Sequence, residues 1–267
     1  MSNISHEVGA TIKNLEVTGE TLSVPSEATL AIHLHPDSLI LDGSTVDGWN
    51  NDGTFGETFT AAPLREKPVL GGTLNGHNSV RLDGADNSPA MRNVFSPSVA
   101  LKTIVFVSHI PSPIPSGYIH TPFRVSGLDY FNSQYGGFFY GWGSGANPPW
   151  TSYYWLTNSD FKDALGNPYK ANPSGEWRIT AITYLPRTSP DPYVIKVRDA
   201  SGEICTSSTA GYPFAGMTKT VEIGHSPYGG DTSQAIEFCE FMAWTNALAD
   251  ADMDTVILYL KTKYGLT

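Results

Sequence analysis

AIEFCEFMAWTNALADADMDTVILYLKTKYG, residues 235–265, places a strand-like run directly before a helix-like one. Its first part, IEFCEFMAW, is dominated by apolar and aromatic residues, which is typical of a buried strand. In the second part, a spacing of three to four residues separates the apolar positions, which are Met253, Val256, Ile257, Leu260 and Tyr264. Such a stripe predicts a helix over 250–263, with acidic residues in its first turns, lysines in its last turn and Gly265 as the C-cap.

Upstream of this stretch the chain is a series of short β-like runs. They are separated by Gly, Pro, Asn or Asp, and include LAIHL, SLIL, SVRLDG, KTIVFVSHI, GYIHTPFRV, GGFFYGW, EWRITAITYL, YVIKVRD and KTVEIGHS. Many short strands with turns between them, and no interleaved helical pattern, indicate a β-sandwich or barrel. We therefore predict an all-β fold, an antiparallel two-sheet jelly-roll sandwich with one C-terminal α-helix.

The chain divides into a short N-terminal segment and one domain. Residues 1–27 alternate weakly between apolar and polar residues, and 28–267 carry the sandwich pattern within the size range of a single all-β domain. The first segment is either a disordered or edge-strand tail, or a docking arm or hairpin that orders on an assembly partner. The sequence leaves both interpretations open.

Composition excludes several classes of partner. The formal net charge is −10, and no Lys/Arg cluster offers the basic surface that nucleic-acid binding needs. No apolar run reaches the roughly 18 residues of a membrane span. The start, MSNISHEVGATIKNLEV, lacks the basic and apolar regions of a signal peptide, so we expect cytoplasmic synthesis. Cys205 and Cys239 could form one bridge, but we prefer two reduced structural thiols.

Two groups of residues resemble a known family. LAIHLHPDSLILDGSTVDGWNNDG contains Asp42-Gly43 and Trp49, and is followed by Arg81-Leu82-Asp83-Gly84. The closing pattern consists of Ile223-Gly224, Glu240, Ala247-Leu248, Tyr259-Leu260 and Lys263-Tyr264-Gly265. Together they resemble concanavalin A-like lectin/glucanase domains of the laminin G-like subgroup. The resemblance implies two stacked antiparallel sheets, with the concave one often used for ligands, and it implies no particular activity.

Glucanases of this superfamily use paired carboxylates, and retaining hydrolysis needs them about 5–5.5 Å apart. Glu237 and Glu240 are the nearest pair, but a spacing of three puts them on opposite strand faces unless a bulge intervenes. We therefore expect no catalysis and interpret Glu240 as a buried, hydrogen-bonded structural carboxylate. His33 and His35 share a strand face, and we prefer surface or satisfied strand histidines to a metal pair.

Two Asp/Asn-rich loops are candidates for calcium. One contains Asp83, Asp86 and Asn87, and the other contains Asp47, Asn50, Asn51 and Asp52. Calcium takes six to eight oxygen ligands of this kind. Turn formation explains both loops without an ion, so we predict no cofactor and keep calcium at Asp83, Asp86 and Asn87 as the alternative.

The most unusual segment is YFNSQYGGFFYGWGSGANPPWTSYYWLTNSD, residues 130–160, where aromatic residues lie among Gly, Asn and Ser. Flat rings cover the apolar faces of sugars, and amides and hydroxyls bind sugar hydroxyls. The predicted carbohydrate or partner site consists of Tyr140, Trp142, Asn147, Trp150 and Tyr154. Core packing or contact with an identical subunit are the alternatives.

These features lead to one functional expectation. We predict a non-catalytic, phage-type virion decoration, fibre or adhesion protein with a lectin-like domain. It would bind host or environmental glycans or another virion or surface protein, as a homo-oligomer or attached to the particle through residues 1–27. The alternatives are a polysaccharide-degrading enzyme, either glycoside hydrolase or lyase, and an adhesion module of a bacterial surface protein.

Overall fold

The structure is a computed structural model. It describes residues 14–17, 20–61, 66–82, 90–99, 101–109, 119–120, 123–126, 140–141, 162–163, 175–185, 193–202, 204–209, 218–224 and 235–267. Within these residues the chain is built of β-strands, two 3₁₀ turns at Glu27–Thr29 and Pro36–Ser38, and one α-helix, α1 (Asp250–Tyr264). No helix in this part of the chain is long and apolar enough to cross a membrane.

The described strands are numbered here in chain order. They are β1 (Asn14–Val17), β2 (Glu20–Ser23), β3 (Leu30–Leu34), β4 (Leu39–Asp42), β5 (Thr45–Trp49), β6 (Phe59–Ala61), β7 (Val69–Leu74), β8 (His77–Leu82), β9 (Met91–Val99), β10 (Thr103–His109), β11 (Ile119–His120), β12 (Phe123–Ser126), β13 (Tyr140–Gly141), β14 (Lys162–Asp163), β15 (Trp177–Leu185), β16 (Tyr193–Asp199), β17 (Ile204–Thr209), β18 (Thr218–Ile223) and β19 (Ile236–Trp244).

One antiparallel sheet contains most of these strands. Its order is β12-β18-β9-β6-β5-β7-β8-β19-β10-β15-β16-β17-β14, with β3 added beside β19 and β4 beside β5. Phe123 of β12, at one end of this order, packs edge-on against Phe106 of β10 and Phe241 of β19, at ring distances of 5.5 and 5.4 Å. The sheet therefore curls until its first strands lie over its middle, and the two layers of the sandwich belong to one continuous sheet.

Two hydrophobic clusters hold this arrangement together. The inner core lies between the two layers and includes Trp49, Phe59, Phe106, Phe123, Phe238 and Phe241. The outer core lies between α1 and the opposite face of the same strands, and includes Val105, Ile179, Met242, Trp244, Val256 and Leu260. Since β10, β15 and β19 contribute to both clusters, both faces of these strands carry buried apolar residues, which explains why their apolar residues do not simply alternate with polar ones.

The helix ends close to where the sequence predicts. All residues of the predicted stripe are buried, and Gly265 adopts the left-handed conformation (φ 65°) of a C-cap. Arg198 of β16 fixes the first turn through Asp250 and Asp254, at 2.8 and 2.7 Å. The prediction of an all-β antiparallel fold with one C-terminal helix is confirmed.

At the N-terminus, β1 and β2 pair as a separate two-stranded antiparallel sheet. The hairpin lies beside α1 rather than completing the large sheet. The division of the chain into an arm at 1–27 and a domain at 28–267 stays a prediction.

Candidate functional site

Of the aromatic segment 130–160, the structure describes only Tyr140 and Gly141, on a small ribbon outside the large sheet. Tyr140 and Gly141 form β13, which pairs with β11 in the register His120↔Tyr140 and Ile119↔Gly141. The other predicted binding residues, Trp142, Asn147, Trp150 and Tyr154, lie outside the described residues. The structure therefore places the backbone at the start of this site, and the site itself stays a prediction.

Of the two candidate calcium loops, the one with Asp83, Asp86 and Asn87 lies outside the described residues. In the other loop the Asn51 side chain accepts hydrogen bonds from the backbone N–H groups of His33 (2.7 Å) and Gly53 (2.9 Å), and donates one to Ala31. Asp47 pairs with Lys67. Asn51 therefore holds the loop that follows β5, as its interpretation as a turn residue predicts, whereas Asp47 lies within β5 itself. The described part of the chain contains no group of three His, Cys, Asp or Glu side chains with metal-binding geometry.

A polar network is buried between β3, β19 and the end of α1. Its centre is Glu240, which is 0% exposed. One carboxylate oxygen lies 2.8 Å from His33 Nε2, and the other accepts hydrogen bonds from Lys263 Nζ (2.7 Å) and Tyr264 OH (2.6 Å). The expectation that Glu240 is a buried, hydrogen-bonded carboxylate agrees with this geometry.

The ionisation of Glu240 is set by its neighbours. Burial alone would raise its pKa, but the charge of Lys263 and the hydrogen bond and charge of His33 outweigh it, so the pKa lies well below its usual range. Lys263 is affected reciprocally: burial opposes its charge, whereas Glu240 favours it, and its pKa is raised. Both directions describe an ion pair that stays charged inside the protein.

A second carboxylate–histidine pair lies beside the first. His35 Nε2 is 2.7 Å from Asp52 Oδ2, and the rings of His33 and His35 are 5.0 Å apart. Burial, followed by the charge of His33, lowers the pKa of His35 although its bond to Asp52 opposes this shift. Both histidines are buried and hydrogen-bonded, His33 within β3 and His35 directly after it, so the expectation of satisfied histidines fits them and a surface position does not.

A β-bulge changes the geometry of the candidate carboxylate pair. Opposite β10, Phe238 pairs with Ser108 and Glu240 with Val107, so Cys239 is the extra residue in β19. Phe238 and Phe241 both point into the inner core. Glu237 and Glu240 each precede one of these phenylalanines in the strand, so both point to the opposite face, the side of the outer core. The bulge that the sequence left open therefore exists, and it puts the two carboxylates on one face.

Glu237 has its own surroundings on this face. Its Oε2 atom accepts hydrogen bonds from Ser79 Oγ (2.9 Å) and Gly72 N (3.1 Å). A side chain at Gly71 would place its Cβ 2.8 Å from the Glu237 Cδ, so the glycine leaves room for the carboxylate. No described residue donates a hydrogen bond to Oε1. Within the described part of the chain, Glu237 is thus held through one oxygen only.

An aromatic pair is next to Glu237. His109 of β10 lies directly opposite Glu237 of β19 on one side and opposite Trp177 of β15 on the other. The two rings are stacked, with centroids 5.1 Å apart, and His109 Nδ1 is buried without a hydrogen bond to the described residues. A carboxylate, an imidazole and an indole on three adjacent strands are a combination that sequence spacing could not show.

No protein-family model and no curated protein sequence matches the chain. Solved structures match by fold. The botulinum neurotoxin serotype D binding domain has a TM-score of 0.53 at 10% identity over 87% of this chain and 52% of its own. A botulinum neurotoxin type C structure, from a toxin whose cell entry is described as dependent on two ganglioside molecules, has a TM-score of 0.51 at 12% identity. The match covers 88% of this chain and 52% of the toxin chain. A GH54 α-L-arabinofuranosidase mutant soaked with a 4-nitrophenyl arabinofuranoside has a TM-score of 0.51 at 13% identity. The match covers 82% of this chain and 51% of the enzyme chain.

The chain spans about half the length of the solved structures it matches. Identities this low establish a shared β-rich fold and leave function to be argued from the residues.

Proposed function

We propose that this protein is a non-catalytic glycan-binding domain that acts as a virion-associated adhesion, fibre or decoration protein. The observation that carries the proposal is the curled sandwich, a fold shared with a toxin whose cell entry depends on gangliosides. The aromatic segment 130–160 supplies the chemistry for sugar contact, because its rings lie among hydroxyl and amide side chains. Within this segment the structure describes Tyr140 and Gly141, which form β13 and pair with β11 outside the large sheet.

The non-catalytic part of the proposal rests on Glu240. Both of its oxygens are engaged by three donors, and it has no exposed surface. A retaining glycosidase needs two carboxyl groups that both reach the sugar. Glu240 cannot be one of them without dismantling the contact between β19 and α1.

The virion location is proposed from the N-terminal segment. The β1–β2 hairpin forms a sheet of its own, so the large sheet does not depend on it. A segment of this kind suits attachment to a particle or to other copies of the chain. The acidic composition, with a net charge of −10, agrees with partners that carry no negative charge of their own, such as neutral glycans.

The experiment is a glycan array probed with the full chain and with Trp142→Ala and Trp150→Ala. Loss of an aromatic anchor at a binding site costs about 2 kcal/mol or more, which is roughly a thirtyfold loss of affinity. Trp142→Phe is the matched control, since it keeps a flat ring and should keep most of the signal. Thermal unfolding should be nearly unchanged in all three variants.

Two results would contradict the proposal. If both alanine variants unfold, the tryptophans belong to a core. If the variants keep the array signal but change the mass in light scattering, the segment is a subunit contact and not a glycan site.

The second candidate function is a polysaccharide-degrading enzyme, favoured by Glu237. One of its oxygens takes no hydrogen bond from any described residue, and the carboxylate lies beside His109 and Trp177. The test is release of reducing sugars or unsaturated products from a polysaccharide panel by the wild-type chain and by Glu237→Gln. Turnover by the wild type that the variant lacks would establish the enzyme and reject the non-catalytic proposal.

A further inference from the structure

Three histidines lie close to Lys263, in the last turn of α1. His33 is on β3, His35 directly follows this strand, and His77 begins β8. The rings of His33 and His35 are 5.0 Å apart, and the His77 ring packs edge-on against Tyr264 at a centroid distance of 5.3 Å. The positive charge of Lys263 acts on both His35 and His77. The end of the helix therefore meets three imidazoles, the side chains that ordinarily titrate nearest to neutral pH.

The negative charges in this region offer little compensation for an added proton. Glu240, which is 0% exposed, already takes three contacts from its neighbours. The carboxylates that face His35 reach solvent: Asp52 is 2.7 Å from its Nε2 atom and 27% exposed, and Asp37 is 3.8 Å from its Nδ1 atom and 65% exposed. Solvent weakens such pairs. A proton on His35 therefore adds a positive charge close to the buried Lys263 without a new buried counter-charge.

Other titratable side chains also face this junction. They are Cys239, Tyr259, Tyr264 and, on a small pocket that His33 and Asp52 also line, Glu27. Burial raises the pKa of the thiol and of Tyr259 to about 12, and it raises the pKa of Tyr264 well above its usual range. These three groups therefore stay uncharged in mildly acidic solution. Glu27 is exposed, so solvent screens its charge.

The fold lowers the pKa of both His35 and His77. Burial is the largest cause for each, followed by the charge of His33 for the first and of Lys263 for the second, whereas the hydrogen bond to Asp52 opposes the shift at His35. An open form in which these rings reach water binds their protons with the ordinary pKa of 6.5. The closed form therefore has its full stability above this pH and loses it as the pH falls through 6.5 toward the folded pKa.

The last turn of α1 is the part of this junction that can separate at the lowest cost. β3 and β19 are joined by a ladder of backbone pairs, and both contribute to the inner core. The last turn is held by side chains instead: Lys263 and Tyr264 bind Glu240, and Asn75 donates to the Lys263 carbonyl at 2.8 Å. The flexible stem of a lysine also lets its ammonium group move into water.

We propose that His35 and His77 form an acid-sensitive switch: their protonation releases the last turn of α1 from β3, β8 and β19 and exposes Tyr264, while the large sheet stays paired. The closed form is the one described above, in which Tyr264 is 1% exposed. The switch makes the surface at the end of the helix differ between neutral and mildly acidic solution. It uses no residue of segment 130–160, so it is independent of the proposed glycan site.

The test is hydrogen–deuterium exchange of the full chain at pH 7.5 and 5.5, read by mass spectrometry and corrected for the pH dependence of the chemical exchange step. The measured quantity is the opening equilibrium of the amides in the last turn of α1. Over this interval a histidine with an open-form pKa of 6.5 changes that equilibrium by at most about tenfold. We expect at least about a fivefold increase in opening at pH 5.5 from the two histidines together, and no increase in β10 and β15.

Glutamine variants connect the response to the two rings. His35→Gln and His77→Gln each keep a polar side chain and remove the titrating group, so each should reduce the acid-induced opening. The double variant should reduce it to less than about twofold. His109→Gln is the matched control, because this ring is stacked on Trp177 and takes no part in the contacts around Lys263. It should keep the full response.

Any of four results would overturn the inference. They are unchanged opening between the two pH values, a full response in the double variant, an equal reduction by His109→Gln, and acid-induced opening of β10 and β15 equal to that of α1. A pH-independent loss of stability in His35→Gln does not affect the comparison, which is made between two pH values of one variant. His77 is only partly buried, so its variant should fold in any case. The glycan array can succeed or fail regardless of these results.

Discussion

Replacing Lys263 by Met tests whether the polar network holds α1 on the sheet. The Lys263 Nζ atom is 2.7 Å from Glu240, and the two side chains are 10% and 0% exposed. Methionine keeps the apolar stem of the lysine but leaves the Glu240 carboxylate buried without its cation. Breaking a buried ion pair in this way costs about 3–5 kcal/mol. We expect a loss of this size in the free energy of unfolding at pH 7.

The assay is urea unfolding of Lys263→Met, Glu240→Gln and the double variant. Glu240→Gln removes the buried charge and leaves Lys263 uncompensated, so it should also destabilise. In the double variant both charges are absent, and its loss should be smaller than the sum of the two single losses. Additive losses, or a loss below about 1 kcal/mol for Lys263→Met, would show that the pair is not the buried unit described above.

The same variant has a pH signature. The pKa of Glu240 is depressed in the folded state, so its contribution to stability is present above its unfolded pKa, near 4.5, and is lost as the pH falls toward the folded pKa. Without Lys263 the folded pKa rises and this acid-dependent loss shrinks. The stability difference between wild type and Lys263→Met should therefore be smaller at pH 3 than at pH 7. An unchanged difference would contradict the assignment.

Two further predictions concern packing, and urea unfolding measures both. Leu260 is 0% exposed in the outer core, so Leu260→Ala should lower the free energy of unfolding by about 2–5 kcal/mol. Leu258 is 51% exposed, so the control Leu258→Ala should lower it by less than about 0.5 kcal/mol. Equal losses would mean that the helix is not docked through this stripe. Gly71→Ala should cost about 1–3 kcal/mol, because its Cβ would overlap the Glu237 carboxyl group. A Cβ at Gly72 would be 3.4 Å from the same group, so the control Gly72→Ala should be nearly neutral. A larger loss for Gly72→Ala than for Gly71→Ala would contradict this prediction.

Local patterns predicted the elements of the fold. The helix could be read from its stripe and from Gly265 because both depend on residues close in sequence. Tyr259 was missed because it lies beside the stripe, yet it is buried in the outer core, where its hydroxyl also accepts a hydrogen bond from Lys263. Runs such as KTIVFVSHI and EWRITAITYL predicted β10 and β15 within a residue or two. The curl of the sheet could not be predicted, because it depends on which distant strands meet.

The candidate sites were harder to predict for the same reason. His33 and Glu240 are 207 residues apart, and only the pairing of β3 with β19 brings them together. The bulge at Cys239 has no signature in the run IEFCEFMAW, yet it decides which face Glu240 occupies. Neither glycine nor proline marks it, and alternation alone assigns the two glutamates to opposite faces. The two glutamates can share a face only if the strand bulges between them, and the residues of this run do not show whether it does.

The shared face of Glu237 and Glu240 does not by itself make a catalytic pair, because the two carboxylates are committed differently. A carboxylate offers about four lone-pair positions. Glu240 uses three of them on His33, Lys263 and Tyr264, and its depressed pKa keeps it from carrying the proton that a general acid must donate. Glu237 Oε1 takes no hydrogen bond from the residues that the structure describes, so hydrolysis on this face would depend on Glu237 and on a second carboxyl group other than Glu240. Loss of turnover in Glu237→Gln is therefore the decisive comparison, whereas loss in Glu240→Gln would report only the loosening of α1.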